Sequence, residues 1–159
     1  METVYIAGGC LWGVQHFFDS VSGVVETEAG RANGDTDSLE GVYDGYAECV
    51  KVTFDETVTS ITDLMGHLFE IIDPYSLNKQ GADVGKKYRT GIYSTSAKHL
   101  AEAKDFIKQR ADRDKIVVEV LPLTNYVRSA EEHQHHLERY PEDCRLCYIP
   151  ESILNKYRQ

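Results

Sequence analysis

Two glycines and a cysteine stand between a strand pattern and a helix pattern, and this junction constrains the fold most. Val4–Ala7 is a β-branched and aromatic run that predicts a buried strand, and the apolar residues from Val14 to Val21 recur with the spacing of one helix face. Cys10 is therefore expected where that helix begins, because unpaired backbone N–H groups and the helix dipole favour a thiolate there. The pattern equally fits a small buried cysteine beside a tight turn, since free cysteines are often core residues.

The remaining hydrophobic patterns extend this junction into an alternation of strands and helices. Further strands are predicted at 23–29, 47–54, 88–93 and 116–121. Helices are predicted at 97–110, at 129–139 and after a cap at Ser60 or Thr62. Irregular loops are predicted at 30–35 and 74–87. The first six elements follow the order of a split βαβ, or ferredoxin-like, sandwich, in which two helices cover one face of an antiparallel sheet. We therefore expect one α+β domain over residues 1–159 with an irregular C-terminal tail.

Glu48 has an unusual place in its predicted strand. The alternation puts Glu48 on the same face as Val50 and Phe54, whereas Cys49 lies on the other face. A carboxylate on an apolar face either lies at the open end of the strand or has a pKa raised by desolvation. The first explanation, in which Glu48 simply reaches water, is the commoner one for a charged residue.

The charge balance narrows the classes of partner. Lys and Arg number 17 against 26 Asp and Glu, and the resulting net charge of −9 repels nucleic acid and anionic membranes. The chain enters its first strand without a signal-peptide pattern, and no segment approaches the ~20 apolar residues of a membrane span. We therefore expect a cytoplasmic protein with neither a nucleic acid nor a membrane as partner. In that reducing compartment, 4 cysteines are more typical of catalysis, redox chemistry or metal binding than of a disulfide framework.

Five segments, taken in order, resemble one known family. They are GGCLWG at 8–13, YAECVKV from Tyr46, DPYSLNKQGADVGKKYRTGIY from Asp73 to Tyr93, PLTNY at 122–126 and HQ at 133–134. Each segment alone is of a common type. The five segments in this order resemble the A class of peptide methionine sulfoxide reductases over nearly the whole chain. The resemblance implies a reductase that returns methionine S-sulfoxide, free or in proteins, to methionine.

The resemblance gives a role to each residue that matches a family motif. Cys10 matches the nucleophile that attacks the sulfoxide sulfur and becomes a sulfenic acid, and Glu48 matches the general acid that protonates the departing oxygen. Tyr88 matches a phenol that hydrogen-bonds the sulfoxide oxygen, and Trp12 matches a wall of the pocket for the substrate methyl group. Asp83 matches a further site residue, to which we assign a structuring or water-ordering role.

Three substrate-binding positions depart from the family pattern. The family usually has Phe at Leu11, a second site Tyr at Arg31 and His at Tyr46. Leu11 keeps the wall of the substrate pocket apolar but lacks the aromatic ring of the family's Phe. Tyr46 supplies, from another direction, the hydroxyl that the family's second Tyr would provide. Arg31 is a permanent cation, which favours the Cys10 thiolate and donates to a sulfoxide oxygen but also lowers the pKa of a nearby carboxyl. These departures bear on rate and substrate preference more than on reaction class.

The second half of the family reaction needs a thiol that attacks the sulfenic acid. Cys147 resembles the family's C-terminal resolving cysteine, and Cys144, three residues earlier, is a candidate relay. The resulting disulfide is expected to pass to thioredoxin or a similar dithiol, with NADPH consumed only upstream and no cofactor on this chain. Cys49 has the weakest case for a redox role and is expected to be structural.

Three other functions fit parts of the same sequence. His133, His135 and His136 precede a Cys-x-x-Cys pair at 144–147, which suits zinc by ligand type, although His135 turns aside from the other two on a helix. A thiol peroxidase uses the same reactive cysteine and resolving thiol but requires neither a general acid nor a methyl pocket. A non-catalytic relative that binds oxidised methionine is the third alternative, and the cation at Arg31 is the reason to consider it.

Overall fold

The chain folds into a mixed β-sheet with helices packed against it. The computed structural model describes residues 1–36, 39 and 43–146, with side chains as far as residue 143. The described strands are β1 (Glu2–Gly8), β2 (Val24–Ala32), β3 (Ala47–Phe54), β4 (Lys79–Gln80), β5 (Asp83–Val84), β6 (Thr90–Ser94), β7 (Glu119–Pro122) and β8 (Tyr126–Arg128). The described helices are α1 (Leu11–Phe18), α2 (Ile61–Ile71), α3 (Ala97–Lys108) and α4 (His136–Arg139), with 3₁₀ turns at Lys86–Tyr88, Arg113–Lys115, Glu131–His133 and Pro141–Leu146.

The larger sheet has the strand order β7-β6-β1-β3-β2-β8. β6 and β7 run parallel, and the other neighbouring pairs in this sheet are antiparallel, so the sheet is mixed. The predicted α+β class is confirmed. A wholly antiparallel sheet does not form, because α3 carries the chain across to a parallel edge strand. A second, small sheet joins β4 to β5.

The helices cover one face of the larger sheet and form the main core with it. Val4 and Ile6 of β1 are fully buried there together with Phe17 of α1 and Leu68 of α2. The opposite face carries a smaller cluster that contains Cys49, whose side chain is 1% exposed. Burial raises the pKa of the Cys49 thiol, which makes it a poor nucleophile and suits a structural role.

The predicted junction between the first strand and the first helix is confirmed. Gly9 adopts a φ of +95°, which a glycine reaches without strain, and the chain turns sharply there. Cys10 then occupies the N-cap of α1 with an extended backbone. A Cβ atom on Gly8 would lie 3.0 Å from Val14 Cγ2, so the absence of a side chain at Gly8 lets the strand pack closely on α1.

Several predicted boundaries are wrong where pairing between distant segments overrides local pattern. β2 continues to Ala32 through residues predicted as a loop, because β3 and β8 pair with it on both sides. Tyr88 lies in a 3₁₀ turn before β6 instead of in a strand. β7 begins at Glu119, because the N–H of Val117 donates to the carbonyl of Pro74 and so does not join a strand ladder.

The helix predicted at 129–139 is replaced by a 3₁₀ turn and the short α4. His135 between them has a φ of +51°, which no continuous helix contains. The cause is Gln134, whose buried side chain accepts from the Ala29 N–H and donates to the Ala29 carbonyl, tying this segment to β2. β8, which precedes it, has three residues and was not predicted because so short a run has no readable period.

None of the helices in the described part of the chain is long and apolar enough to cross a membrane.

Candidate active site

A cavity of about 300 Å³ opens at the N-terminus of α1. It is lined by Cys10, Leu11, Trp12, Arg31, Tyr46, Glu48, Asp83, Lys87, Tyr88, Ser129 and His133. The predicted site residues whose side chains are described all lie in this lining. Cys147 lies outside the described residues, and of Cys144 only the backbone is described, in the last 3₁₀ turn.

Distant parts of the chain meet at this cavity. α1 contributes its first turn, and the neighbouring strands β2 and β3 contribute Arg31 and Glu48, which are directly opposed in the strand register. Because opposed residues project to the same side of a sheet, both side chains face the start of α1. The segment from β5 to Tyr88 closes a third side, which explains why this poorly periodic stretch carries site residues.

Glu48 reaches the start of α1, and its side chain is 15% exposed. Oε1 accepts a hydrogen bond of 3.3 Å from the Leu11 N–H, and Oε2 lies 3.9 Å from Lys87 Nζ. Burial raises the pKa of Glu48, while the Leu11 N–H and the charges of Lys87 and Arg31 oppose that rise. Of the two explanations that the sequence left open, the structure therefore favours the desolvated carboxyl, a group suited to hold a proton and give it up.

Asp83 is a second carboxyl with a raised pKa in the same cavity. Burial is the main cause, and the charge of Lys87 opposes it. Oδ2 of Asp83 is buried without a hydrogen-bond partner among the described residues, so the atom is available to a bound water or ligand. Burial, followed by the charge of Glu48, also raises the pKa of Tyr88, whose phenol therefore remains a hydrogen-bond donor across the ordinary pH range.

Trp12 forms one wall and is held by two histidines that the sequence did not assign to the site. Its indole stacks on His136 with ring centroids 3.7 Å apart and an angle of 10°, and its Nε1–H donates to His133 Nδ1 over 3.2 Å. His136 is in turn fixed by Asp143, with 2.7 Å between Nε2 and Oδ2. The aromatic wall is therefore oriented by the same segment that leads to Cys144.

Arg31 lies against Tyr46 instead of pairing with an acid. Its guanidinium carbon is 4.3 Å from the centre of the Tyr46 ring, and one terminal N–H group donates to the Leu39 carbonyl over 3.3 Å. Among the described residues Arg31 forms no salt bridge, although Glu48 is its neighbour across the strands. Within the described residues, the cavity thus contains a cation whose charge is not paired by a carboxylate.

The zinc alternative predicted ligands that the described structure does not bring together. His133 and His136 contact Trp12, whereas His135 turns away and forms a hydrogen bond with Asp19, with 2.9 Å between Nδ1 and Oδ2. Within the described ranges, the His, Cys, Asp and Glu side chains close enough to hold a metal are those of Asp19, His135 and Glu138, which is a different set from the predicted one. The two cysteines of that alternative, at 144 and 147, lie beyond the described side chains.

Comparison with known proteins decides the family. A family model for peptide methionine sulfoxide reductase matches residues 2–159. The chain belongs to the peptide methionine sulfoxide reductase family. The peptide methionine sulfoxide reductase MsrA of Clostridium perfringens strain 13 is 42% identical, over 94% of this chain and 98% of that protein. The MsrA of Ureaplasma urealyticum serovar 10 is 37% identical, over 98% of both chains.

Solved structures agree with this membership of the peptide methionine sulfoxide reductases. Mxr1 from Saccharomyces cerevisiae in its reduced form superposes with a TM-score of 0.82 at 28% identity, covering 89% of this chain and 86% of that one. Methionine sulfoxide reductase A of Corynebacterium diphtheriae superposes with a TM-score of 0.81 at 29% identity, covering 94% and 78%. The predicted resemblance is confirmed, and thiol-dependent reduction of methionine sulfoxide is the activity of this enzyme.

Sequence reasoning missed Lys87, Ser129 and His133 as residues of the cavity. Lys87 stands one residue before Tyr88, but its spacing alone does not show that it reaches Glu48. His133 belongs to a recognised HQ pair, and the tandem histidines that follow were the available signal. A stacking partner for Trp12 was not readable from them, because the stacking depends on how Gln134 anchors this segment to β2.

Proposed function

We propose that Cys10 reduces the S epimer of methionine sulfoxide, free or in proteins, with Glu48 as the general acid. The observation that carries this proposal is the hydrogen bond from the Leu11 N–H to Glu48, which holds the carboxyl beside the residue that follows Cys10. Both residues line the same cavity, and Trp12 and Leu11 give that cavity an apolar side for a methyl group.

In the first step the Cys10 thiolate attacks the sulfoxide sulfur, and the oxygen passes to the Cys10 sulfur. Glu48 protonates that oxygen as its bond to the substrate sulfur breaks, and the sulfenic acid retains the proton. The substrate sulfur gains two electrons and leaves as methionine, while the Cys10 sulfur loses two. The proton of the original thiol restores Glu48, so atoms and charge balance.

The remaining lining residues position the substrate. The Tyr88 hydroxyl donates to the sulfoxide oxygen, and Oδ2 of Asp83, which has no hydrogen-bond partner among the described residues, orders a water beside it. Arg31 on β2 and Tyr46, which directly precedes β3, lie together and border the same space. Donors placed in advance around the oxygen stabilise the charge that develops on it as the bond to sulfur lengthens.

In the second step Cys147 attacks the sulfenic sulfur, with Cys144 as a relay. A disulfide forms and the oxygen leaves as water, so two thiols supply the two electrons that the sulfoxide received. Support comes from Asp143, the residue before Cys144, because its bond to His136 brings this part of the chain to the Trp12 wall.

Thioredoxin or a similar dithiol then reduces the disulfide. Yeast Mxr1, which resembles this chain at 28% identity in its reduced form, is also solved in complex with Trx2. A chain with a net charge of −9 suits neither nucleic acid nor an anionic membrane as a partner. We place the reaction in the cytoplasm, where thiol chemistry of this kind is sustained.

The whole chain acts as one catalytic domain in this proposal. The central strands follow the order β6-β1-β3-β2 with α1 and α2 as their connections, which supports a split βαβ unit within the mixed sheet. The family match over residues 2–159 supports the same extent.

A single turnover without added reductant tests the assignment. Wild type is expected to release about one methionine per chain and to lose a pair of thiols, whereas Cys147→Ser releases methionine but retains a sulfenic acid that a dimedone probe traps. Cys10→Ser is expected to release none. Methionine release by Cys10→Ser would remove Cys10 as the nucleophile, and peroxide consumption without any methionine would favour a thiol peroxidase.

A further inference from the structure

We propose that Arg31 and Lys87 together bind a carboxylate at the mouth of the active-site cavity. The enzyme accordingly prefers methionine sulfoxide that has a carboxylate next to the oxidised side chain. That group is either an acidic residue beside it in a peptide or the α-carboxylate of the free or C-terminal amino acid. This inference rests on the proposed function, because it concerns how the same cavity selects its substrate.

The first supporting observation is the orientation of Arg31. Arg31 is directly opposite Glu48 in the β2–β3 register, an arrangement in which opposite charges normally pair. Its guanidinium instead stacks on the Tyr46 ring at 4.3 Å, and one terminal N–H is used by the Leu39 carbonyl. A stacked guanidinium keeps its remaining N–H groups in one plane, which is the geometry that a carboxylate accepts.

The second supporting observation is the loose contact of Lys87 with Glu48. The 3.9 Å from Nζ to Oε2 is too long for a hydrogen bond. The Lys87 side chain is 40% exposed and Glu48 only 15%, so the ammonium group lies nearer to solvent than the acid does. A substrate carboxylate entering the cavity therefore meets Lys87 without first breaking a strong ion pair.

The charge balance of the cavity is the third observation. The cations of its described lining are Arg31 and Lys87, and its carboxyl groups are those of Glu48 and Asp83. Burial raises the pKa of both carboxyls, so each tends toward its neutral form. With Glu48 protonated for catalysis, Asp83 is the one carboxylate left in the described lining beside two cations, and the Cys10 thiolate gives up its charge as it attacks, although the whole chain carries −9. An anionic group on the substrate supplies the missing counter-charge.

The same arrangement links substrate binding to the proton on Glu48. The ionisable groups that border the cavity with Glu48 are Cys10 at the start of α1, Arg31 on β2, Tyr46 before β3, Asp83 on β5, Lys87 and Tyr88 in the 3₁₀ turn, and His133. The charges of Lys87 and Arg31 lower the pKa of Glu48, so Glu48 holds its proton less tightly at neutral pH. A bound carboxylate offsets both charges, so Glu48 keeps its proton to a higher pH with an acidic substrate.

The test compares S-sulfoxide pentapeptides that differ only in the residues on each side of the sulfoxide, which are Glu, Gln or Lys. Values of kcat/KM are measured for wild type, Arg31→Gln, Lys87→Gln and the control Lys86→Gln, which removes an exposed neighbouring lysine outside the cavity lining. The readout is the ratio of Glu to Gln peptide within each variant, since a general loss of activity cancels from it.

Wild type and Lys86→Gln are expected to prefer the Glu peptide about fivefold, and this preference shrinks in about 0.5 M salt. Each cavity variant is expected to bring the ratio close to one. Saturating rates are also measured against pH, because kcat reports the pKa of Glu48 in the substrate complex, whereas kcat/KM reports that of the free enzyme. In wild type the alkaline limb of kcat lies at higher pH for the Glu peptide than for the Gln peptide, and this displacement is lost in the variants. If either cation has a purely structural role, its substitution changes neither the ratio of Glu to Gln peptide nor the displacement of the alkaline limb between the two peptides.

A second pair of substrates identifies the source of the carboxylate. N-acetylmethionine sulfoxide carries an α-carboxylate that its N-methylamide lacks. A preference for the acid in this pair assigns the site to free or C-terminal methionine sulfoxide, and a preference confined to the Glu peptide assigns it to acidic flanking sequence. Reduction of all substrates with no preference for a carboxylate would overturn the inference alone. Reduction of none would overturn the proposed function and this inference with it.

Discussion

The backbone N–H of Leu11 donates a hydrogen bond to the Glu48 carboxyl over 3.3 Å, joining the start of α1 to β3. The bond fixes where the acid lies, yet an N–H donor at a helix start stabilises the charged carboxylate. Burial acts in the opposite direction and is the larger influence on the Glu48 pKa. The position of the group and its tendency to hold a proton thus come from different parts of the fold.

Replacement of this acid is expected to cost most of the turnover. Glu48→Gln keeps the shape and an acceptor for the Leu11 N–H but has no proton to give, so kcat should fall about 100-fold or more. Loss of the Glu48 proton at rising pH depresses wild-type activity, and that dependence should vanish in the variant. Stopped-flow kcat against pH measures both effects, with titration of the Cys10 thiol as a check on folding. Unchanged activity across the pH range would exclude Glu48 as the acid.

The same substitution is expected to stabilise the protein at neutral and alkaline pH. The pKa of Glu48 is higher in the folded state than its usual value of 4.5, so the folded protein binds this proton more tightly than the unfolded chain does. The free energy of unfolding of wild type therefore decreases as pH rises through that interval, and Glu48→Gln lacks this decrease. Urea unfolding at about pH 4 and pH 8 should give similar stabilities at the lower pH and a more stable variant at the higher pH. A variant less stable at the higher pH would contradict the desolvation of Glu48.

The stacking of Trp12 on His136 is expected to be important for substrate binding. His136→Ala removes the ring that lies 3.7 Å from the indole and releases Asp143, so KM should rise several-fold, while the step at Cys10 is less affected. His136→Phe restores the stacking but not the bond to Asp143, and it should recover KM. His135→Asn is the control, because His135 faces Asp19 and asparagine tolerates its positive φ. An unchanged KM in His136→Ala would show that Trp12 needs no such support.

Replacing each of two glycines by alanine should change the free energy of unfolding in opposite directions. A Cβ on Gly30 of β2 would lie 2.3 Å from the Tyr126 ring, which is held in place by its bond to Glu28. Gly30→Ala should therefore lower the free energy of unfolding by about 1–3 kcal/mol. Gly66 lies inside α2, and apart from its chain neighbours and the backbone of its own helix no described atom lies within 4 Å of the added Cβ, so Gly66→Ala should raise the free energy of unfolding by about 1 kcal/mol. Chemical denaturation of the pair measures both values, and equal effects would contradict the packing described for β2 and β8.

The parts of the fold that follow from local pattern were predictable from the sequence. The strand, glycine turn and helix around Cys10 depend on neighbours in the chain, and so do the Ser60 and Ser96 caps of α2 and α3. Family motifs then indicated the residues that meet at the cavity. The short β8 and the parallel pairing of β7 depend on distant partners, which no local period reveals.

The cavity's supporting contacts were not predictable for the same reason. The tandem histidines fit a helix by local pattern, but Gln134 finds its partners on β2 and breaks that helix at His135. On the two sides of this break, His133 and His136 both contact Trp12. The contact of Lys87 with Glu48 could not be predicted either, because it joins a 3₁₀ turn to a strand far away in the chain.

The most direct test of the central claim is reduction of the separate S and R epimers of a methionine sulfoxide peptide, with dithiothreitol as reductant, by wild type and Cys10→Ser. We predict methionine from the S epimer only, and none from either epimer with Cys10→Ser. Reduction of the R epimer at a similar rate, or activity that survives Cys10→Ser, would contradict the account of this cavity as a stereospecific site built around Cys10.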